Sequence, residues 1–405
     1  MRSFPAWISP FPRNSGSVIQ THESGHSERT HYLTRRSGRP QQKLAEYRGA
    51  LVERQRFPLN RRVCVDKLRV VVVGLGRIGW QFHFKEAVAS DQFELSAVVD
   101  PLQDRVDEAV SESGCRGYST YELMLAAETP DIIALATPTT LHEQQTLQAI
   151  DHGCHVILEK PMTTSVESAD RMIQAATSAS KRIFVYQPHR LTVETATVRS
   201  IIASGKLGKI FSIKRGVFRF VRRNDWQSLK KNGGGMLNNY GAHYIDQLLY
   251  LADHPQLADI RCRLWAAATL GDADDVVRVW MTTTDNVLLD LEINQASAQT
   301  LPSWHICGDR GTMISDSAGF HLKYYRDQDA PPLEIKEGAA PGRSYDNKDR
   351  LPWIEETVEA TGENLDFYAN IYDVLSETSE PYIPIEQTRE LMRVMAECRL
   401  DASFE

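Results

Sequence analysis

A six-residue, largely β-branched run, Leu68-Arg69-Val70-Val71-Val72-Val73, passes directly into Gly74-Leu75-Gly76-Arg77-Ile78-Gly79. No other stretch constrains the chain as much. The apolar run has the composition of a strand buried on both faces. The glycine spacing fits a strand-to-helix turn. Gly74 permits the tight turn, Gly76 lets the backbone approach a pyrophosphate, and Gly79 lets helix and strand pack closely. A helix opening at Arg77-Ile78-Gly79 offers unpaired N–H groups to phosphates. A second such segment, Phe93–Val99, ends at Asp100, about 20 residues beyond Gly79, where an acidic side chain accepts hydrogen bonds from the adenosine ribose. Its charge repels a 2′-phosphate and favours NAD as cofactor. Arg105, one turn further on, is placed to pair with such a phosphate, so NADP is the alternative.

The alternation continues. Asp131–Ala136, Cys154–Leu158 and Arg182–Val185 read as strands. Between them lie helix signals: Pro101 at a first helical position, and capping boxes at Thr140–Glu143 and Thr164–Glu167. Strands alternating with helices specify a doubly wound parallel sheet, whose ligand lies off the carboxyl ends of the strands. Asp100, the Thr137-Pro138 turn and Glu159-Lys160 all follow strands and should line one crevice. His142, early in the helix after that turn, and Gln187, after the last strand, are expected on its rim.

Beyond residue 188 the pattern changes. Val276–Met281 and Val287–Ile293 flank Asp285-Asn286 as a hairpin, and Trp304–Cys307 leads into a second turn at Gly308–Gly311. Ile210–Arg215 alternates as a further strand, while Leu365–Ile371 and Thr388–Met392 read as helices. Gly233-Gly234-Gly235 precedes a segment holding Asn239, His243 and Asp246, with Asn239 and His243 four apart on one helical face. Trp226, before the glycines, suits stacking on a sugar ring or filling a core. Gln187 and Arg190 are placed to contact nicotinamide or substrate, or to bridge the two halves. The polar loop Gly342–Asn347 suits a lid or a subunit contact.

Strand–GxGxxG, Thr137-Pro138 with His142, Glu159-Lys160-Pro161, and Gly233-Gly234-Gly235-Met236-Leu237-Asn238-Asn239-Tyr240-Gly241-Ala242-His243-Tyr244-Ile245-Asp246 occur in that order. Together they resemble the glucose-fructose oxidoreductase / inositol dehydrogenase / rhizopine-catabolism (Gfo/Idh/MocA) family from about Leu68 onward. The resemblance implies an α/β fold: an N-terminal Rossmann domain and a C-terminal α/β domain with a large, mostly antiparallel sheet. It also implies NAD(P)-dependent hydride transfer to or from a sugar, cyclitol or related polyol. By the resemblance, Lys160 and His243 act at the reacting carbon. Such roles suit their chemistry: a lysine stabilises a developing alkoxide, and a histidine moves the proton. Where the family usually carries aspartate, this chain has Asn239, which can orient a substrate but cannot titrate. Proton transfer then rests on His243 and Lys160, with Asp246 as a further candidate. Two alternatives share the fold: an NAD-dependent glycoside hydrolase and a non-enzymatic dinucleotide sensor.

Charge divides the chain. The first 64 residues carry eleven arginines and Lys43 against four glutamates, a net +8, so the remainder carries −15 of the total −7. The arginines follow no helical face and are not interleaved with aromatics, so a nucleic-acid arm is disfavoured. Arg35-Arg36 lacks a following apolar segment, which disfavours a secretion signal. Residues 1–66 are therefore expected to be a disordered basic extension, or the product of a mis-called start. Residues 67–187 are expected to bind the dinucleotide, and 188–405 to bind substrate and form a homo-oligomer through an apolar sheet face. Six scattered cysteines, with no CxxC or HExxH, point to no metal site and a reducing, cytoplasmic setting. No apolar run approaches the ~18 residues of a membrane helix.

Overall fold

Val70–Val73, at most 2% exposed, lie near the centre of a six-stranded parallel sheet. The structure, a computed structural model, describes residues 67–335, 338 and 350–404. The expected extension over 1–66 and the loop Gly342–Asn347 lie outside the described residues. Strands β1 (Leu68–Val73), β2 (Phe93–Val99), β3 (Arg116–Tyr118), β4 (Ile132–Leu135), β5 (His155–Leu158) and β6 (Ile183–Val185) run in the order β3-β2-β1-β4-β5-β6. Helices α1 (Lys85–Ala89), α2 (Gln103–Ser113), α3 (Tyr121–Ala127), α4 (Thr139–Asp151) and α5 (Val166–Ser178) are interleaved with them. Successive valines serve opposite faces: Val71 and Val73 join Met124 and Met172, whereas Val70 and Val72 join Phe84 and Phe93. The strand order reverses between β1 and β4, which opens a crevice at their carboxyl ends.

Local details depart from expectation. β3 is a three-residue edge strand with two exposed residues, and it has no apolar run to announce it. Pro101 is not the first helical residue, because α2 begins at Gln103. α4 begins at Thr139 behind Pro138 without a side-chain cap, so Thr140–Glu143 is not a capping box. Glu143 is drawn away to Arg171 at 2.5 Å. α5 is capped one residue later than expected, by Ser165, which accepts from the Ser168 N–H at 3.2 Å. The helix after the glycine motif starts with a π-helical turn, Gly79–Phe84.

The second half builds on a nine-stranded sheet. It comprises α6 (Val193–Ala203), β7 (Ile210–Phe218), α7 (Ala242–Leu251), β8 (Leu257–Trp265), β9 (Val276–Thr283), β10 (Leu288–Asn294), β11 (Trp304–Gly308), β12 (Gly311–Asp316), β13 (Gly319–Tyr324), β14 (Ile354–Val358), α8 (Phe367–Leu375), α9 (Ile385–Asp401) and β15 (Ser403–Phe404). The order is β14-β13-β12-β11-β7-β10-β9-β8-β15. All pairs are antiparallel except β7 with β10 and β8 with β15. Both expected hairpins form, β9–β10 around Asn286 (φ +66°) and β11–β12. Leu289, Leu291 and Ile293 of β10 pack with Leu248 and Leu249 of α7.

The other face of this sheet is not the apolar surface expected. Period-two alternation places Lys214, Asp290, Glu292 and Arg278 there as a lattice of ion pairs 2.9–3.5 Å long. After the last long strand the chain returns to the first sheet. Phe367, Tyr368 and Ile371 of α8 join Phe84 and Phe93, and Met392 of α9 joins Met172. Among the described residues, no helix is long and apolar enough to cross a membrane.

Candidate active site

Lys160 follows β5 and crosses from the first half to the second. Its Nζ donates to the Asn239 backbone carbonyl at 2.9 Å and to Asn239 Oδ1 at 3.1 Å. Burial lowers its pKa to about 8; Glu159 opposes that shift and Arg77 adds to it. Asn239 lies in a second π-helical turn, Leu237–Gly241, which opens α7. Its Nδ2 donates to Gln227 Oε1 at 3.2 Å, so the amide bridges the lysine and the loop before the triple glycine. Gly235 is held at φ +103°, and a Cβ there would lie 2.2 Å from Asp274 Oδ1. Asp274 accepts the Leu237 N–H at 2.7 Å, which anchors the start of the turn.

His243, one turn beyond Asn239, is 7% exposed, and its Nδ1 is buried without a hydrogen-bond partner. Burial, reinforced by Lys160 and His189, holds its pKa well below the usual histidine range, so the ring is neutral at neutral pH. The His189 ring lies edge-on to it, centroids 4.6 Å apart. His189 is lowered to about 4, first by burial and then by Arg215. Lys160, His189 and His243 therefore form a group in which only the lysine carries charge at neutral pH. Sequence reasoning missed His189 and Gln227. Their only signals were adjacency to Arg190 and to Trp226.

The glycine turn is shaped as the sequence requires. Gly74 has φ +90°, and a Cβ there would lie 2.7 Å from Ala136 O. A Cβ on Gly79 would fall 1.7 Å from Gly74 O. A Cβ on Gly76 would meet nothing within 4 Å, so the backbone at Gly76 faces open space. Asp100 Oδ2 accepts the Leu75 N–H at 2.7 Å, and Oδ1 accepts the Leu102 N–H at 2.9 Å. Arg105 reaches Asp100 at 3.4 Å. The acidic residue thus fastens the glycine loop to the end of β2.

The remaining expected residues divide. Thr137 Oγ1 donates to Gln145 Oε1 at 2.6 Å, and Pro138 stands at the N-terminal boundary of α4 without capping it. His142 is buried, with Nε2 2.9 Å from Thr137 O and Nδ1 3.1 Å from Met162 O, so it braces two crevice loops from behind. Burial lowers its pKa, and a neutral ring donates to one carbonyl at a time. Gln187, 1% exposed, has both amide atoms unpartnered and keeps its full hydrogen-bonding capacity. Arg190 and Asp246 find each other: the guanidinium meets the carboxylate through two hydrogen bonds, both side chains 1% exposed. That pair joins β6's end to α7 and lies inside the protein. Trp226, in contrast, is 60% exposed and precedes Gln227, the residue whose side chain meets Asn239.

The open backbone at Gly76, the two glycines that tolerate no side chain, and the unsatisfied Gln187 amide fit a dinucleotide along the carboxyl ends of β1, β4 and β6. The profile of the oxidoreductase family with an NAD-binding Rossmann fold matches residues 68–187, and that of the GFO/IDH/MocA C-terminal domain matches residues 195–314. Among curated relatives, D-glucoside 3-dehydrogenase of Escherichia coli is 27% identical over 48% of this chain and 56% of its own length. The NADP-dependent scyllo-inositol 2-dehydrogenase of Bacillus subtilis is 26% identical over 49% of this chain and 55% of its own. The matched region thus spans little more than half of each. An NAD-binding protein from Listeria innocua superposes with a TM-score of 0.72 at 26% identity, covering 84% of this chain and 98% of that one. The WlbA dehydrogenase of Bordetella pertussis, solved with NADH and UDP-GlcNAcA, shares the fold at a TM-score of 0.66 and 23% identity, covering 83% of this chain and 96% of that one.

Proposed function

The chain belongs to the GFO/IDH/MocA family of oxidoreductases, and from that premise we propose that it transfers a hydride between a nicotinamide cofactor and a secondary alcohol or ketone carbon of a sugar, cyclitol or related polyol. The observation that carries this reading is the Lys160–Asn239 contact, which joins the end of β5 to the helix bearing His243. Residues 67–187 hold the cofactor in this reading, and residues 188–405 supply the substrate face. The resemblance to glucoside and inositol dehydrogenases supports a neutral, polyhydroxylated substrate.

When bound, the nicotinamide supplies the hydride acceptor or donor. Gly76, Arg77 and Ile78 would hold the pyrophosphate, Asp100 the ribose, and Gln187 would serve the nicotinamide end. The protein's own residues perform the rest. Protonated Lys160 places a positive charge where the substrate oxygen gains negative charge, and burial strengthens that interaction. His243, held neutral, is a base whose Nε2 takes the hydroxyl proton in oxidation and returns it in reduction. Asn239 cannot move a proton. It holds Lys160 in place and, through Gln227, ties the lysine to the Trp226 loop, where the exposed indole offers a stacking surface for a sugar ring.

The test is a titration with NAD, NADH, NADP and NADPH, then a polyol and keto-sugar screen with the preferred cofactor. Turnover that disappears in Lys160→Ala while cofactor affinity persists supports the assignment. Tight dinucleotide binding with no turnover across the panel would overturn it in favour of a sensor. Glycoside cleavage that needs NAD but yields no net NADH would replace it with a hydrolase.

A further inference from the structure

A buried polar chain runs behind Lys160, separate from the residues assigned to substrate. Glu159 Oε1 lies 3.1 Å from His83 Nε2, and His83 Nδ1 lies 2.9 Å from the Tyr368 hydroxyl. His83 is 0% exposed, Tyr368 2% and Glu159 9%. The direction of the chain follows from donor inventory. A carboxylate only accepts, so Nε2 donates to Glu159. A neutral imidazole then accepts at Nδ1, so the Tyr368 O–H donates. Each link then has one donor and one acceptor.

Three distant segments meet here: the π-helical turn Gly79–Phe84, the residue before Lys160, and α8 near the end of the chain. Aromatic walls fix them. Phe82 stacks on Tyr186 at 4.0 Å, and Phe93 meets Tyr368 edge-on at 5.3 Å. A buried carboxylate needs hydrogen-bond donors to offset the water it has lost, and His83 provides one.

We propose that Tyr368 and His83 are positioning residues for the reaction: through Glu159 they set the charge state and reach of Lys160. The proposal rests on the assignment of Lys160 to the chemistry. Glu159 faces His83, Lys160, Tyr186, Tyr368 and His142, and Glu86 adjoins His83 and Tyr368. Lys160 faces Glu159, Arg77, His189 and His243. Within this set Glu159 is the one anion adjoining the lysine, and its charge favours the protonated ammonium. Without the His83 anchor the Glu159 carboxylate is no longer held beside the lysine, and Lys160 loses its proton at lower pH.

Competitive acetylation of the full chain with isotopic acetic anhydride across pH, read by mass spectrometry, gives the Lys160 midpoint without a substrate. The midpoint is expected to fall by about half a unit or more in Tyr368→Phe and further in His83→Leu, while His83→Gln, which still donates, restores it. Unchanged midpoints in folded Tyr368→Phe would overturn the proposal, as would a loss of thermal stability with no change in midpoint. Should His83→Leu fail to fold, Tyr368→Phe, which removes a single oxygen, decides alone. Lys160→Ala, assayed with NAD and myo-inositol and with the polyol screen, reports separately on the underlying reading. Retained turnover there would defeat the functional assignment without altering the labelling result.

Discussion

Lys160 Nζ reaches both oxygens of Asn239, the backbone carbonyl at 2.9 Å and Oδ1 at 3.1 Å, so the residue that cannot titrate is the one that holds the lysine. Asn239→Asp would place a carboxylate at that distance. An opposite charge favours the ammonium, so the Lys160 pKa should rise above its present value of about 8. The limb of the pH–rate profile assigned to Lys160 should move upward by roughly one unit. A profile identical to the parent's would show that Lys160 does not control that limb.

The glycines of the turn separate folding from binding. Gly79→Ala drives a methyl into Gly74 O and should destabilise the fold by about 1–3 kcal/mol. Gly76→Ala meets no protein atom, so the fold should keep its melting temperature. NAD affinity should nevertheless fall about tenfold or more, ~1.4 kcal/mol, because the methyl enters the space left for the pyrophosphate. Calorimetry on both variants, with a titration on Gly76→Ala, checks this; equal affinity would move the cofactor elsewhere.

Arg190 and Asp246 are a buried pair rather than two open substrate contacts. Removing one partner strands the other charge, at a cost of about 3–5 kcal/mol. Asp246→Ala should therefore lower the denaturant midpoint strongly, whatever its effect on turnover. A variant with parental stability and a raised KM would return Asp246 to the substrate face.

Stability should fall with acid. His155, His189 and His254 are each lowered to about 4, chiefly by burial, and His142 and His243 are lowered for the same reason. The unfolded chain binds protons at these rings near pH 6.5, whereas the fold refuses them until about 4, so stability rises with pH across that window. Glu86 and Asp274, raised by burial, act in the opposite sense but are fewer. Thermal unfolding followed from pH 7 to pH 4.5 should show a steadily falling midpoint, and His189→Asn should flatten the slope.

Much of this was legible in one dimension. The β1 valines, the glycine spacing, Asp100 at a strand end and Lys160 at another are local patterns, and period and propensity suffice to read them. The two hairpins of the second sheet were legible because their turn residues declare them. The short edge strand β3 was not, since three half-exposed residues carry no period. Nor were the helix starts, because Glu143 had a better partner in Arg171 than its own backbone. The sheet face expected to be apolar carries Lys214, Arg278, Asp290 and Glu292, residues visible in the sequence whose common face depends on strand register.

By itself, then, the sequence determined where a dinucleotide turn must form, which strands alternate with helices, and which lysine stands at a strand end. Tertiary structure alone decided the partners. It paired Arg190 with Asp246, put His189 against His243, gave Asn239 to Lys160 and Gln227, and brought Tyr368 to His83. The reason is physical: such contacts join residues tens to hundreds of positions apart, and which of several polar groups meets a buried charge depends on packing and desolvation that no local pattern encodes.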